Sequence, residues 1–286
     1  MSEPGPKQVA LDSRGILDPG VLRQRVRLTR YPPIPALEGL IDRFWAAQWD
    51  LPEGVEHIQR LLTHPGANLS VGRPDAGTGR RQESAIEARL NGVARRLTTR
   101  TLRGRGFAVA AMTAPGGVGA FITGSASQFT DRVVPLGVAI GVDEEHLIRE
   151  IAEQDEESAR VDRLADSLAH AVNRARAPAA RAVAEVARLA ETDRTVRSLG
   201  DLAARAGVSQ RGLQRNFLRE AGVSPMWVVR RYRLLEAAET VRAGGRVSWA
   251  DVAAHLGYSD QAHLIRDFRA AVGQTPAAYG AAQARG

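Results

Sequence analysis

Apolar positions along the chain change their period near residue 140. Between 26 and 138 they come in short runs broken by glycine and proline, which is a strand pattern. Strands are predicted at 58–62, 68–71, 85–90, 95–102 and 107–112. Residues 73–79, with Pro74, Asp75, Gly77 and Gly79, read as a hairpin-type loop. The stretch 37–49 fits two templates: Leu40, Ile41, Phe44 and Trp45 share one helical face, yet 44–49 also reads as the start of a strand. From 143 the spacing lengthens to three or four residues. Helices are predicted over 143–154 and 156–173, the latter carrying Val161, Leu164, Leu168 and Val172. Residues 1–26 are expected to form a poorly ordered or loosely docked tail, and 174–180, with Pro178, a linker. Beyond it every segment reads as helix: 179–191, 200–206, 210–220, 225–243, 249–256, 261–271 and a last turn at 276–279. Gly244 and Gly245 end the longest of them.

The helical third repeats itself. Residues 198–209 run Ser-Leu-Gly-Asp-Leu-Ala-Ala-Arg-Ala-Gly-Val-Ser, and 248–259 run Ser-Trp-Ala-Asp-Val-Ala-Ala-His-Leu-Gly-Tyr-Ser. The alignment then continues one residue out of step, pairing Leu213 with Leu264, Phe217 with Phe268, Gly222 with Gly273 and Pro225 with Pro276. Each copy reads as a helix, a glycine turn, a capped second helix and a stop. That is the outline of a helix-turn-helix, whose second helix enters a DNA major groove. Ala203, Ala204, Ala253 and Ala254 are expected at the tight contact between the two helices of each copy. Gly207 and Gly257 supply left-handed exits, Ser209 and Asp260 cap the reading helices, and Ser224-Pro225 and Thr275-Pro276 start the next ones. The predicted fold is therefore α+β: a β-rich N-terminal domain (27–173) followed by two helices, then an all-α C-terminal domain (181–283) of two helix-turn-helix motifs joined by a long connector helix.

Charge sharpens this division. The chain carries a net +7, of which 178–286, with 16 Arg and 10 acidic residues, holds +6. The excess sits on the reader, as phosphate binding requires. The 286 residues contain no cysteine, which excludes disulfides, thiolate metal sites and cysteine nucleophiles. No signal peptide and no apolar run of spanning length are apparent, so a cytoplasmic protein without a membrane partner is expected.

Catalytic and metal chemistry finds little support. Ten carboxylates fall between Asp143 and Asp166, but their spacing spreads them around two helices as a solvated face. His57 and His64 lack a third ligand and are expected to be structural. Pro115-Gly116-Gly117-Val118-Gly119 lacks the Gly-Lys-Ser/Thr of a phosphate loop and reads as a tight turn. No metal, cofactor or enzymatic activity is expected. Trp45, Trp49, Phe107 and Phe121 are candidates to line an effector pocket.

Residues 198–280 resemble the DNA-binding domain of the AraC/XylS family of bacterial transcription regulators. The resemblance rests on Gly257-Tyr258-Ser259-Asp260-Gln261-Ala262-His263-Leu264-Ile265-Arg266-Asp267-Phe268-Arg269, on Gly273, Thr275, Pro276 and Tyr279, and on Arg233 and Ala237. Leu264, Gln274 and Gly280 depart from the family pattern. The N-terminal half is similar to the sensory half of an actinobacterial subgroup. There the matching residues are Tyr31-Pro32-Pro33, Phe44-Trp45, His64-Pro65-Gly66-Ala67-Asn68-Leu69 and Phe129-Thr130-Asp131-Arg132-Val133-Val134-Pro135-Leu136. The resemblance implies a DNA-binding transcription regulator with no known ligand, and whether it acts as an activator or a repressor stays open. Helix geometry and the family pattern together nominate Arg211, Gln214 and Arg215 in the first copy as base readers, and Gln261, Ala262, His263 and Arg266 in the second. Arg suits guanine, Gln suits adenine, and the Ala methyl suits thymine. Candidate phosphate contacts are Ser209, Arg230, Arg231, Arg246, Asp260 and Arg269. The candidate partners are double-stranded DNA, RNA polymerase, a small-molecule effector and a second copy of the chain. Two alternatives stay open: a DNA-acting enzyme that uses the double motif for targeting, and a DNA-binding subunit whose N-terminal half only dimerises.

Overall fold

A computed structural model describes residues 14–73, 85–242 and 248–283. The expected hairpin loop after Arg73, the glycines Gly244 and Gly245, and the phosphate candidate Arg246 lie outside these residues. Helix α1 (Pro19–Arg25) leads into strands β1 (Val26–Tyr31) and β2 (Ile41–Asp50), followed by β3 (Glu56–Leu61), β4 (Asn68–Gly72), β5 (Glu87–Asn91), β6 (Thr98–Arg103), β7 (Arg105–Thr113) and β8 (Val133–Pro135). Helices α2 (Leu136–Ile140), α3 (Glu144–Ala152), α4 (Glu157–Ala171) and α5 (Ala177–Thr192) come next. The rest is α6 (Leu199–Arg205), α7 (Gln210–Glu220), α8 (Pro225–Arg242), α9 (Trp249–His255), α10 (Gln261–Val272) and α11 (Pro276–Gln283). Among the described residues no helix is long and apolar enough to cross a membrane.

The ambiguous stretch at 37–49 is a strand. A short 3-10 turn at Pro35–Leu37 precedes β2, which pairs antiparallel with β1 on one side and β7 on the other. The six-stranded sheet runs β1-β2-β7-β4-β5-β8. Its two faces follow from the period-2 alternation of side chains. Phe44, Ala46, Leu69, Val71, Leu90 and Val109 point to one face and join Leu147, Ile151, Leu164 and Leu168 of α3 and α4 in a core. The alternate residues point to the other face, which the two-stranded β3-β6 sheet covers. Between the two sheets lies a cavity of about 870 Å³.

Three expectations are corrected here. Residues 14–25 are not a loose tail. Leu17 donates its backbone N–H to the Arg60 carbonyl, Leu62 donates to the Gly15 carbonyl, and Pro19–Arg25 is helical. The segment 174–180 is not a linker throughout, because Pro178 sits in the first turn of α5, where its missing N–H costs nothing. Ala177 and Ala180 bury in the sheet core, while Val183, Ala187 and Ala190 bury in the core of the C-terminal helices, so α5 belongs to both. Glu157 is not solvated: it is buried, accepts a 2.8 Å hydrogen bond from the Tyr31 hydroxyl and pairs with Arg27.

Candidate nucleic-acid interface

Both copies of the repeat fold as their local signals dictate. Ser198 caps α6 in a reciprocal capping box with Asp201, and Ser248 caps α9 by accepting from the Asp251 N–H. Gly207 (φ +65°) and Gly257 (φ +71°) turn the chain into the next cap. The Ser209 hydroxyl then accepts from the Gly212 N–H at 3.1 Å, and Asp260 Oδ1 accepts from the His263 N–H at 2.7 Å. That His263 amide holds the Asp260 carboxyl below the usual carboxylate range. Leu213, Phe217, Leu264 and Phe268 are buried one helical turn apart. Ala203 and Ala253 fill the close contacts, but Ala204 and Ala254 are exposed. The inward stripe runs through the buried Leu202 and Ala203 and through the half-buried Val252 and buried Ala253, and the next position along turns away by a helical step.

The reading helices expose most of the nominated residues. On α7, Arg211, Gln214 and Arg215 are exposed and lie on one stripe with Leu218. On α10, Gln261, Ala262 and Arg266 are exposed. His263 is half-buried, edge-on to the Tyr258 ring, with Nδ1 3.2 Å from the Ser259 hydroxyl. Its ring is thus engaged within its own helix turn. The connector α8 ties the copies together: the Arg233 guanidinium is buried and donates to the carbonyls of Val196 and Gly257.

The phosphate candidates divide. Arg230 and Arg269 are exposed. Arg231 is not available as a surface contact. It is buried, stacks over the Trp227 ring at 4.7 Å and donates to the carbonyls of Ala94 (3.3 Å) and Arg95 (2.7 Å) in the β5–β6 loop. Burial pushes its pKa down to about 10, still charged at neutral pH. Ser209 and Asp260 serve as caps, and an ionised Asp260 repels phosphate, so its contribution is to orient α10.

Residues that pattern-reading missed join the reader to the N-terminal half. Glu220, at the end of α7, is 1% exposed and pairs with Arg176 (3.2 Å) and Arg219. It presses on Gly119, where an added Cβ would sit 2.0 Å from Glu220 Oε2. The glycine run 116–119 is therefore the seat on which α5 and α7 pack, not merely a turn. Ser125 donates to the Leu218 carbonyl at 3.0 Å and Thr130 to the Gly222 carbonyl at 2.8 Å. At the other end, the Tyr279 hydroxyl donates to the Leu17 carbonyl at 2.9 Å, and Arg14 pairs with Glu191.

Of the four aromatic pocket candidates, Trp45 and Trp49 line the cavity and Phe107 and Phe121 do not. Phe107 is opposite Gln48 in the β2–β7 register, one residue out of phase with both tryptophans. It therefore faces α4, where the Arg160 guanidinium lies 4.0 Å from its ring centroid. Phe121 is buried in the sheet core. The cavity residues absent from the sequence reading are polar ones on the same parity as the tryptophans. Across the sheet, one row reads Arg30, Trp45, Ser70 and Arg89, and the next reads Arg43, Met112, Asn68 and Asn91. Counting that parity from Trp45 was the signal that could have found them.

Comparison with known proteins separates the two halves. Residues 202–282 match a helix-turn-helix domain family, and residues 29–135 match a domain of unknown function, DUF6597. No curated protein matches the chain. The DNA-binding domain of AdpA, a global transcriptional factor solved in complex with a target DNA, is 33% identical; the match covers 36% of this chain and 94% of that one, with a TM-score of 0.33. A probable AraC family transcriptional regulator from Rhodopseudomonas palustris is 28% identical over 36% of this chain and 96% of that one, TM-score 0.33. ToxT from Vibrio cholerae is 11% identical over 83% of this chain and 97% of that one, TM-score 0.41.

Proposed function

We propose that this chain, which belongs to the AraC family of transcriptional regulators, reads two successive major grooves at once and is governed by its N-terminal half. Its role as a DNA-binding transcription regulator is that of the family. The observation that carries the two-groove reading is the pairing of two capped helices with exposed polar stripes on one connector. Helix α8 has 18 residues, so it spans about 27 Å at 1.5 Å per residue. Successive major grooves on one face of B-DNA lie about 34–36 Å apart, a distance that helix offsets at both ends of such a connector make up. Arg211, Gln214 and Arg215 then address one groove and Gln261, Ala262 and Arg266 the next. Arg230 and Arg269 supply phosphate contacts. Footprinting of the full chain on its operator should protect two groove segments about 10 base pairs apart per monomer. Protection of a single groove per monomer overturns the two-groove reading.

Control by the N-terminal half is supported by shared walls. Gly15 lines the cavity and lies between His64 and Leu235 of α8: a Cβ placed on it would be 3.6 Å from the His64 ring and 3.5 Å from Leu235 Cδ2. Ala94 and Arg95 also line the cavity, and their carbonyls hold Arg231 of α8. A ligand there shifts the reader by its differential affinity for two states, typically about 1–3 kcal/mol of coupling. The protein acts in the cytoplasm, with a small-molecule effector, RNA polymerase and a second copy as partners. If filling the cavity with a ligand left operator affinity and transcription unchanged, the N-terminal half would be a passive dimerisation unit instead.

A further inference from the structure

The last carbonyls of an α-helix find no partner within it and must be completed from outside. At the end of α7 the N-terminal half completes them. The Leu218 carbonyl accepts from the Ser125 hydroxyl at 3.0 Å, and the Gly222 carbonyl, at the left-handed exit, accepts from the Thr130 hydroxyl at 2.8 Å. Between these two contacts Glu220 pairs with Arg176, whose guanidinium also donates to the Gly124 carbonyl at 2.7 Å. The end of α10 is built differently. There the Gly273 N–H donates to the Arg269 carbonyl, and among the described residues no hydrogen bond or ion pair from the N-terminal half reaches α10.

The two hydroxyls stand on anchored backbone. Thr130 is followed by Asp131, whose N–H donates to the Val93 carbonyl at 3.0 Å. The Asp131 carboxylate accepts from both the backbone N–H and the Nε of Arg95, each at 2.7 Å. Gly92 closes this junction: its N–H donates to the Arg132 carbonyl at 2.9 Å, and a Cβ on it would lie 1.8 Å from the Phe129 carbonyl oxygen. Ser125 is fixed as the cap of a 3-10 turn at Ala126–Gln128, its oxygen accepting from the Ser127 N–H. Donors held this way determine where the end of α7 sits, whereas donors on a pliant loop would only follow it.

Base reading is sensitive to that placement. Helix α7 has 11 residues, about 16 Å at 1.5 Å per residue, so a tilt of about 4° moves its far end by about 1 Å. A binding constellation must be held within about 0.5 Å to keep its geometry, and bidentate hydrogen bonds to a base edge weaken steeply outside it. Resting on the two-groove reading, we infer that Ser125, Thr130 and Arg176 are positioning residues for base recognition. They set the angle of α7 in its groove, each acting through the end of the helix rather than on a base. The specificity of the first reading helix therefore depends on the N-terminal half, and that of α10 does not.

Selection from random-sequence DNA with the full-length protein, followed by competition titrations, tests this. Arg215→Ala and Arg266→Ala mark which base pairs each helix reads. Thr130→Val and Ser125→Ala remove the two hydroxyls, and thermal melts establish that the variants are folded. The double variant should lose about fivefold or more of the parent's base preference at the positions read by α7, and less than about twofold at those read by α10. Thr130→Val alone serves if the double variant does not fold. Thr130→Ser keeps the hydroxyl and should retain the parent's preferences, and Arg176→Gln should relax the α7 positions only. The positioning role is overturned if the folded double variant keeps the parent's preferences, if both sets of positions relax equally, or if Thr130→Ser behaves as Thr130→Val. Footprinting of the parent keeps the two readings apart. One protected groove per monomer overturns the two-groove reading and this inference with it; two protected grooves with unchanged preferences in the double variant overturn the positioning role alone.

Discussion

The two helix-turn-helix copies share a sequence plan and differ in what surrounds them. Gly222 and Gly273 end α7 and α10 at equivalent positions, both left-handed, with φ of +77° and +83°. A Cβ on Gly273 would meet nothing within 4 Å, whereas one on Gly222 would lie 2.6 Å from the Thr130 hydroxyl and 2.8 Å from the Ala126 carbonyl. The buried, ion-paired Glu220 of the first copy corresponds to Ala271 in the second. Local signals thus produced the same motif twice, and a few substitutions decided that the first copy would dock on the N-terminal half. A chain built this way holds α7 against its N-terminal half, while α10 is linked to that half through α8, α11 and the segment around Leu17.

The largest effect should separate the two glycines. Alanine in a left-handed position costs about 1–2 kcal/mol, and overpacking adds about 1–3 kcal/mol where a neighbour must give way. Gly222→Ala should therefore destabilise the full chain by about 2–5 kcal/mol and Gly273→Ala by only the first amount. Denaturant melts of both variants measure the difference. Equal losses would mean that the α7 end is not held by Thr130 and Ala126.

Binding energy gives a second comparison. Arg215→Ala and Arg266→Ala should each cost about 1–3 kcal/mol on the operator and relax preference at one base pair. Arg230→Ala should instead weaken all sequences alike and flatten the salt slope by about one unit. Competition titrations against random DNA at several salt concentrations check this. If Arg266→Ala lowered operator and random-DNA affinity by the same factor, it would be a phosphate contact and only the first copy would retain its Arg reader.

What was legible in the sequence follows the range of the interactions involved. Helix α7 could be placed from end to end because Ser209, the Leu213–Phe217 pair and Gly222 all act within a turn or two of it. The same short range made the second copy legible from the first. Phe107 was misread as a pocket residue because its direction depends on the register of β7 against β2, which no local signal states. Arg231 was misread for a similar reason: its partners, the Ala94 and Arg95 carbonyls, are more than 130 positions away. The docking of residues 14–18 onto Tyr279 and Glu191 is longer in range still. A polar segment with scattered prolines carries no trace of it.

A smaller effect lies in the caps of the reading helices. Ser209→Ala removes the oxygen that accepts from Gly212 and should cost about 0.5–2 kcal/mol of stability. Its effect on DNA binding should concentrate on the groove read by α7, because fraying the first turn moves Arg211 first. A selection experiment that compares base preferences of the parent and the variant resolves the two half-sites. Equal relaxation at both would mean that the copies do not read independently.

The smallest effect distinguishes a serine cap from an aspartate cap by pH. Asp260 is held below its usual pKa by the His263 amide, with the Ser259 hydroxyl acting in the same direction. A carboxylate whose folded pKa is depressed stabilises the fold above its unfolded pKa, and that contribution is lost as pH falls through the folded value. Ser209 does not titrate, so only the second copy carries this acid-sensitive element in its reading-helix cap. The substitution Asp260→Asn removes it, because asparagine is still a good cap but carries no charge. The Tm of this variant should therefore fall less steeply than that of the parent between about pH 5 and pH 2, where such a carboxylate takes up its proton. At neutral pH the two should differ little, because asparagine keeps the acceptor oxygen. Parallel curves over the whole acid range would show that the charge on Asp260 contributes nothing to holding α10 in place, and that the hydrogen bond alone does.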